Sequence, residues 1–181
     1  MVKKMFSIRN MVLTALLIAI GIILPMAFHT IPMAGRIFLP MHIPILICGL
    51  ICGVPLGIFA GVVTPILSHL FTGMPPAVFL PAMVLELAAY GVSSALLMQL
   101  LPVKNLYART YISLIGAMLF GRVFFGIMNA LIFSVGDYSM QMWLTAAFVT
   151  SLPGIAIQIV LIPSIIVALQ KAKLIDVQHS E

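Results

Sequence analysis

Glu86 and Arg122 are the two residues of this chain whose positions demand a chemical reason. Each lies inside a long apolar run, where a lone charge costs at least about 2.5 kcal/mol on membrane-insertion scales, so each needs a partner or a water-filled cavity. Two readings are open at this point: a structural ion pair between neighbouring helices, or the lining of a ligand cavity. Arg122 is followed by Gly126, Asn129 and Phe133 at spacings of four, three and four. On a helix this puts a guanidinium, a gap, a carboxamide and a ring on one face. A planar guanidinium takes a carboxylate through two parallel hydrogen bonds, and an Asn one or two turns away can take a hydroxyl or amide of the same molecule. The face suits a small organic anion.

Other polar residues extend the candidate set, each with a plainer reading beside it. Tyr90 lies four residues after Glu86 on the same helix and is either a ligand contact or core packing. His69, near the end of its run, lines the site or caps a helix. Gln158 lines the cavity or hydrogen-bonds within the bundle. Thr72, Arg36 and His42 fall where a mouth or lid would be. His29, His42 and His69 share no helix at three- or four-residue spacing, and Cys48 and Cys52 have no His near them at ligand spacing, so no metal is expected and the cysteines read as packing residues. No cofactor is called for. No nucleophile paired with a base, no Gly-rich phosphate loop and no pair of carboxylates occurs, which argues against an enzyme. The rival in a different class is an intramembrane lipid-modifying enzyme using His42, His69 and Glu86 as its polar centre.

The elements that must position these residues are helices in a membrane. Of 181 residues, 63% are hydrophobic and 7% charged, against roughly a quarter charged in a soluble domain. The reading is an all-α integral membrane protein, a compact six-transmembrane-helix bundle forming one domain, with spans at about 9–28, 43–53, 55–71, 77–101, 109–134 and 143–169. The second and third come from one run too long for an upright helix. Within it Cys52-Gly53-Val54-Pro55 offers a Gly to end one helix and a Pro to open the next. Loop charge decides the parity. With six spans and a cytoplasmic N-terminus, Lys3, Lys4, Arg9, Lys104, Arg109, Lys171 and Lys173 all lie inside and only Arg36 outside, as the positive-inside rule requires. Five spans would move four of these to the outer face. Both termini are therefore expected in the cytoplasm, and the first apolar run is expected to be an uncleaved helix, since no small-residue cleavage site follows it. The Pro-rich outer segment 25–42 has the composition of a stiff, half-buried lid.

Small residues mark close helix contacts. Ala15 and Ala19 form an AxxxA pair with Met11 one turn earlier, and Gly49, Gly53, Gly57 and Gly61 keep a spacing of four. Such residues let backbones approach in lipid, where packing drives association. Whether the partner is internal or another chain is open on this pattern alone. With no ATP-binding motif, uphill transport would draw its energy from an ion gradient or from partner subunits, and one carboxylate in the spans without repeated halves favours the partner subunits.

Several stretches carry a resemblance: Thr14-Ala15-Leu16-Leu17-Ile18-Ala19, then Phe38-Leu39-Pro40-Met41-His42-Ile43-Pro44, and Thr64-Pro65-Ile66-Leu67-Ser68-His69-Leu70-Phe71-Thr72-Gly73-Met74-Pro75-Pro76 with Glu86-Leu87-Ala88-Ala89-Tyr90-Gly91. Together with size and span number they resemble the S component, the vitamin-binding membrane subunit of bacterial energy-coupling factor (ECF) transporters, in its pantothenate-type branch. The resemblance implies a multi-pass protein of the bacterial plasma membrane that binds a water-soluble vitamin from outside. It also implies toppling within the membrane to release the vitamin inward, driven by a transmembrane coupling subunit and two ATPase subunits that hydrolyse the ATP. Carried over, Ala15 and Ala19 dock on the coupling subunit. Pantothenate, with a carboxylate, two hydroxyls and an amide, suits the Arg122 and Asn129 face; another vitamin or a nucleobase-like compound is the alternative ligand.

Overall fold

The computed structural model describes residues 6–28, 33–133 and 138–175; Lys3, Lys4 and His29 lie outside them. All the regular structure among the described residues is helical. Helix α1 (Ile8–Ala27) is capped by Ser7, whose hydroxyl accepts from the Asn10 amide at 3.2 Å. A short α2 (Ala34–Phe38) leads into α3 (His42–Cys52), and then come α4 (Val54–Thr72) and α5 (Leu80–Leu100). Helix α6 (Leu106–Met128) runs on as a π-helical turn at Asn129–Phe133. The last part is α7 (Met140–Leu144), a second π-helical stretch at Thr145–Thr150 and α8 (Leu152–Lys171). Six of the helical segments are long and apolar enough to cross a membrane, in agreement with the span count.

Gly53 joins α3 to α4 as the composition predicts. Its φ of 88° is accessible to Gly at no steric cost, its amide closes α3 on the Gly49 carbonyl at 3.2 Å, and Pro55 sits in the first turn of α4. Two helix starts differ most from the sequence-based bounds, each for a local reason. Eleven residues of α3 span only about 16 Å, and α2 completes that crossing, giving the stretch Ala34–Cys52. Met33 and Leu39, both left-handed with φ of 60° and 50°, frame the added turn. The outer segment 25–42 is thus partly helical rather than a loop throughout. At the other end, the run 143–169 is interrupted at Ser151. Pro153 has no amide to give residue 149 and its ring opposes that carbonyl, so the crossing helix starts at Leu152, and Met140–Thr150 is left to pack elsewhere.

Helix α3 is the centre of the bundle. The best window of Ala34–Cys52 is 72% buried, against 22% for that of α1, and the broadest packing is of α5 on α4 and on α6. The glycine spacing serves this internal contact: a Cβ at Gly57 would lie 2.7 Å from the Gly91 carbonyl oxygen of α5, and one at Gly61 would lie 2.6 Å from that of Leu87. Backbones that close tolerate no side chain.

Candidate functional site

At the end of the bundle that loop charge assigns to the outside, α3 begins with His42. Seven residues into α5 comes Glu86, about 9 Å below the start of that helix at 1.5 Å per residue. The two meet: His42 Nε2 is 3.3 Å from Glu86 Oε1, an ion pair whenever the imidazole is protonated. Tyr90, one turn deeper, sets its ring edge-on to His42 with centroids 5.0 Å apart. His42 and Tyr90 are 3% and 1% exposed. The sequence left open an ion pair between Glu86 and Arg122; the partner found for Glu86 is His42.

Arg122 lies deeper on α6, beside Gly121, whose missing side chain makes room for the Tyr90 ring. Tyr90 thus packs against His42 and against Gly121, the neighbour of Arg122. Arg122 is 5% exposed, and its guanidinium is held by the segment Met140–Thr150. Its Nη1 donates to the Ala147 carbonyl, and the Phe148 ring faces it with the centroid 5.9 Å from Cζ. Trp143 donates from Nε1 to the Arg122 carbonyl at 2.9 Å, and its indole occupies the space beside Gly126. Ser151 ties the same segment down by donating to the Ala147 carbonyl at 2.7 Å. The gap expected at Gly126 is real, and the chain's own indole fills it. Asn129 is buried and donates back to the Phe125 carbonyl at 2.8 Å. Both departures from α-geometry, at Asn129–Phe133 and Thr145–Thr150, flank this contact, and π-helical turns recur at functional sites.

The remaining candidates lie around this cluster in structural roles. Arg36 of α2 stacks over the Phe79 ring at 5.3 Å, linking the lid segment to the start of α5. His69 donates from Nδ1 to the Pro75 carbonyl at 2.7 Å, and Thr72 donates to the Ser68 carbonyl at 2.7 Å and accepts from the Met74 amide at 3.2 Å. Together they hold the α4–α5 turn rather than join His42 and Glu86. Gln158, 1% exposed, reaches the Leu39 carbonyl at 3.5 Å, where the chain turns from α2 to α3. Ala15 and Ala19 are exposed on α1 together with Met11, so no helix among the described residues covers the AxxxA face.

Sequence reasoning missed Trp143, Phe148 and Tyr138. Trp143 had a signal, as the chain's single Trp beside an interruption at Pro153. Tyr138, just before α7, buries its hydroxyl with no hydrogen-bond partner among the described residues. Burial, reinforced by the nearby Glu86 charge, raises its pKa above the usual phenol value. Two further buried atoms of the cluster have no partner there, His42 Nδ1 and Arg122 Nε. Unpartnered buried polar atoms are costly and uncommon.

Six apolar spans around a buried, mixed-charge cluster define a multi-pass membrane protein. Residues 9–166 match the family model for the ECF transporter, substrate-specific component, and the chain belongs to that family. No curated protein and no solved structure matches it. Members of this family are transporter subunits, not enzymes, which sets aside the lipid-modifying reading; membership implies a small-molecule substrate and an energizing module.

Proposed function

We propose that this S component captures a small anionic water-soluble vitamin, pantothenate first, from outside a bacterial plasma membrane and delivers it inward. The observation that carries the reading is the pairing of two unlike polar ends within one buried cluster. Arg122, more than nine-tenths buried, has an Nε without a partner among the described residues, and the Glu86 and His42 pair stands nearer the outer end. A carboxylate at Arg122 and hydroxyls at Glu86 and His42 would match pantothenate end to end. The carboxylate would replace the Ala147 carbonyl on the guanidinium, a charge-assisted pair for a neutral one. Trp143 and Phe148 must shift as it does so. Asn129 and Tyr90 orient the middle of the ligand, while Arg36, His69, Thr72 and Gln158 hold the surrounding turns.

Delivery requires the energizing module, a transmembrane coupling subunit with two ATPase subunits, and the exposed Ala15 and Ala19 offer it a close-packing face on α1. Binding of a panel of water-soluble vitamins and nucleobases to purified protein in lipid nanodiscs tests the reading. Saturable pantothenate binding supports it, selective binding of another member replaces the ligand, and no binding by any member refutes it.

A further inference from the structure

At the end of the bundle that loop charge assigns to the cytoplasm, the start of α6 and the end of α8 leave an open groove of about 300 Å³. It is lined by Tyr107, Ser164, Val167, Ala168 and Lys171. The four α8 residues recur at spacings of three, one and three, so they form one stripe along the helix. Ser164 and Ala168 are small, and the Ser164 hydroxyl is spent on the Val160 carbonyl at 2.6 Å, which leaves the floor apolar. The mouth is polar: Lys171 is the last residue of α8, and Tyr107 lies in the first turn of α6.

Both sides of the mouth are fixed. Beyond Lys171 a double cap closes α8, the Lys173 amide donating to the Gln170 carbonyl and the Leu174 amide to that of Leu169, each at 2.9 Å. Lys173 is left-handed there with φ of 57°, as such caps require, and Ile175 returns to the core. Asn105 caps α6 by accepting from the Ala108 amide at 3.3 Å. A Lys at a helix C-terminus ordinarily offsets the negative end of its own helix. Lys171 does this and also lines a groove beside the positive end of α6. Glu86 is the one carboxylate among the described residues, and it is bonded to His42 at the opposite end of the bundle.

The length of the groove selects its occupant. Seven residues separate Ser164 from Lys171, about 10 Å along the axis, a third of the roughly 30 Å hydrocarbon core. Past Ser164 the same face carries Val160 and Leu161, 67% and 41% exposed. A straight helix of a partner, running the full thickness, would be held off by these side chains, whereas a flexible acyl chain enters the groove and turns out over them. A cation at headgroup level above a short apolar floor, with a Tyr at the rim, is the complement of an anionic amphiphile. We propose that this groove binds an anionic glycerophospholipid of the inner leaflet, its phosphate at Lys171 and one acyl chain along Ser164 and Ala168. The proposal does not depend on the identity of the transported molecule.

Native mass spectrometry of the full chain in detergent, titrated with phosphatidylglycerol or with phosphatidylcholine of the same acyl chains, tests it. Wild type should bind one phosphatidylglycerol about fivefold more tightly than phosphatidylcholine, as one favourable cation at a membrane surface provides. Lys171→Gln should remove that preference, and Lys173→Gln, outside the groove, should keep it. Ala168→Trp fills the groove and should weaken both lipids about tenfold. Lys171 and Ala168 are exposed, so neither change disturbs the core, and the thermal unfolding midpoint is recorded as a control. Equal losses in Lys171→Gln and Lys173→Gln would mean diffuse attraction to a basic end and overturn the proposal. So would a wild type without preference, unchanged binding in Ala168→Trp, or a dimer that Ala168→Trp dissociates, which would give the groove to a second copy of the chain.

Discussion

Replacing Arg122 with Ala removes the charge on which anion capture depends, and its effect can be worked from the contacts. Arg122 is 5% exposed, so salt and solvent screen it little. A bound carboxylate would make two charge-assisted hydrogen bonds, each worth about 1.5–3 kcal/mol net, and would displace one bond to the Ala147 carbonyl worth about 1 kcal/mol. The difference is about 2–5 kcal/mol. At 1.4 kcal/mol per tenfold, affinity should fall roughly 30- to 4,000-fold. Arg122→Lys keeps the charge but not the fork, and should recover part of that loss. Trp143 supplies the assay. It is the chain's single Trp, its indole bonds to the Arg122 carbonyl, and displacement of Ala147 must disturb it. Titrating pantothenate should change its emission in wild type and require far higher concentrations in Arg122→Ala. If Arg122→Ala bound within threefold of wild type, the guanidinium would be a structural clamp on the Met140–Thr150 segment and not a ligand contact.

Three further outcomes follow from other parts of the bundle. Ala19→Trp places a large ring on the exposed face of α1; ligand affinity should stay within twofold in nanodiscs, while uptake into cells or vesicles containing the energizing module should stop. Gly57→Val would set a Cβ 2.7 Å from the Gly91 carbonyl oxygen, and overpacking of this kind costs about 1–3 kcal/mol, read as a lower thermal unfolding midpoint in detergent. Gln158→Leu breaks the 3.5 Å bond to the Leu39 carbonyl, a long contact whose loss should cost less than about 1 kcal/mol and leave ligand affinity within threefold; a tenfold loss would move Gln158 into the ligand site.

The sequence by itself determined the membrane class and the six spans, because hydropathy is a local property that lipid and water read directly. It also marked Glu86 and Arg122, since a charge in an apolar run is anomalous without any knowledge of its neighbours. Gly53 and Pro55 announced a helix junction through backbone preferences that belong to single residues. What pairs with what was decided only by the tertiary structure. Glu86 meets His42 because α3 runs through the centre of the bundle, and a helix's neighbours are set by packing of the whole. The glycines at 49, 57 and 61 face α5 inside the chain, whereas Ala15 and Ala19 face outward, although the two patterns are alike in sequence. The break at Ser151 had a signal in Pro153, yet the destination of the freed segment did not. Its placement of Trp143 at Gly126, and of the Ala147 carbonyl on Arg122, depends on contacts across 17 to 25 positions, which no local pattern encodes.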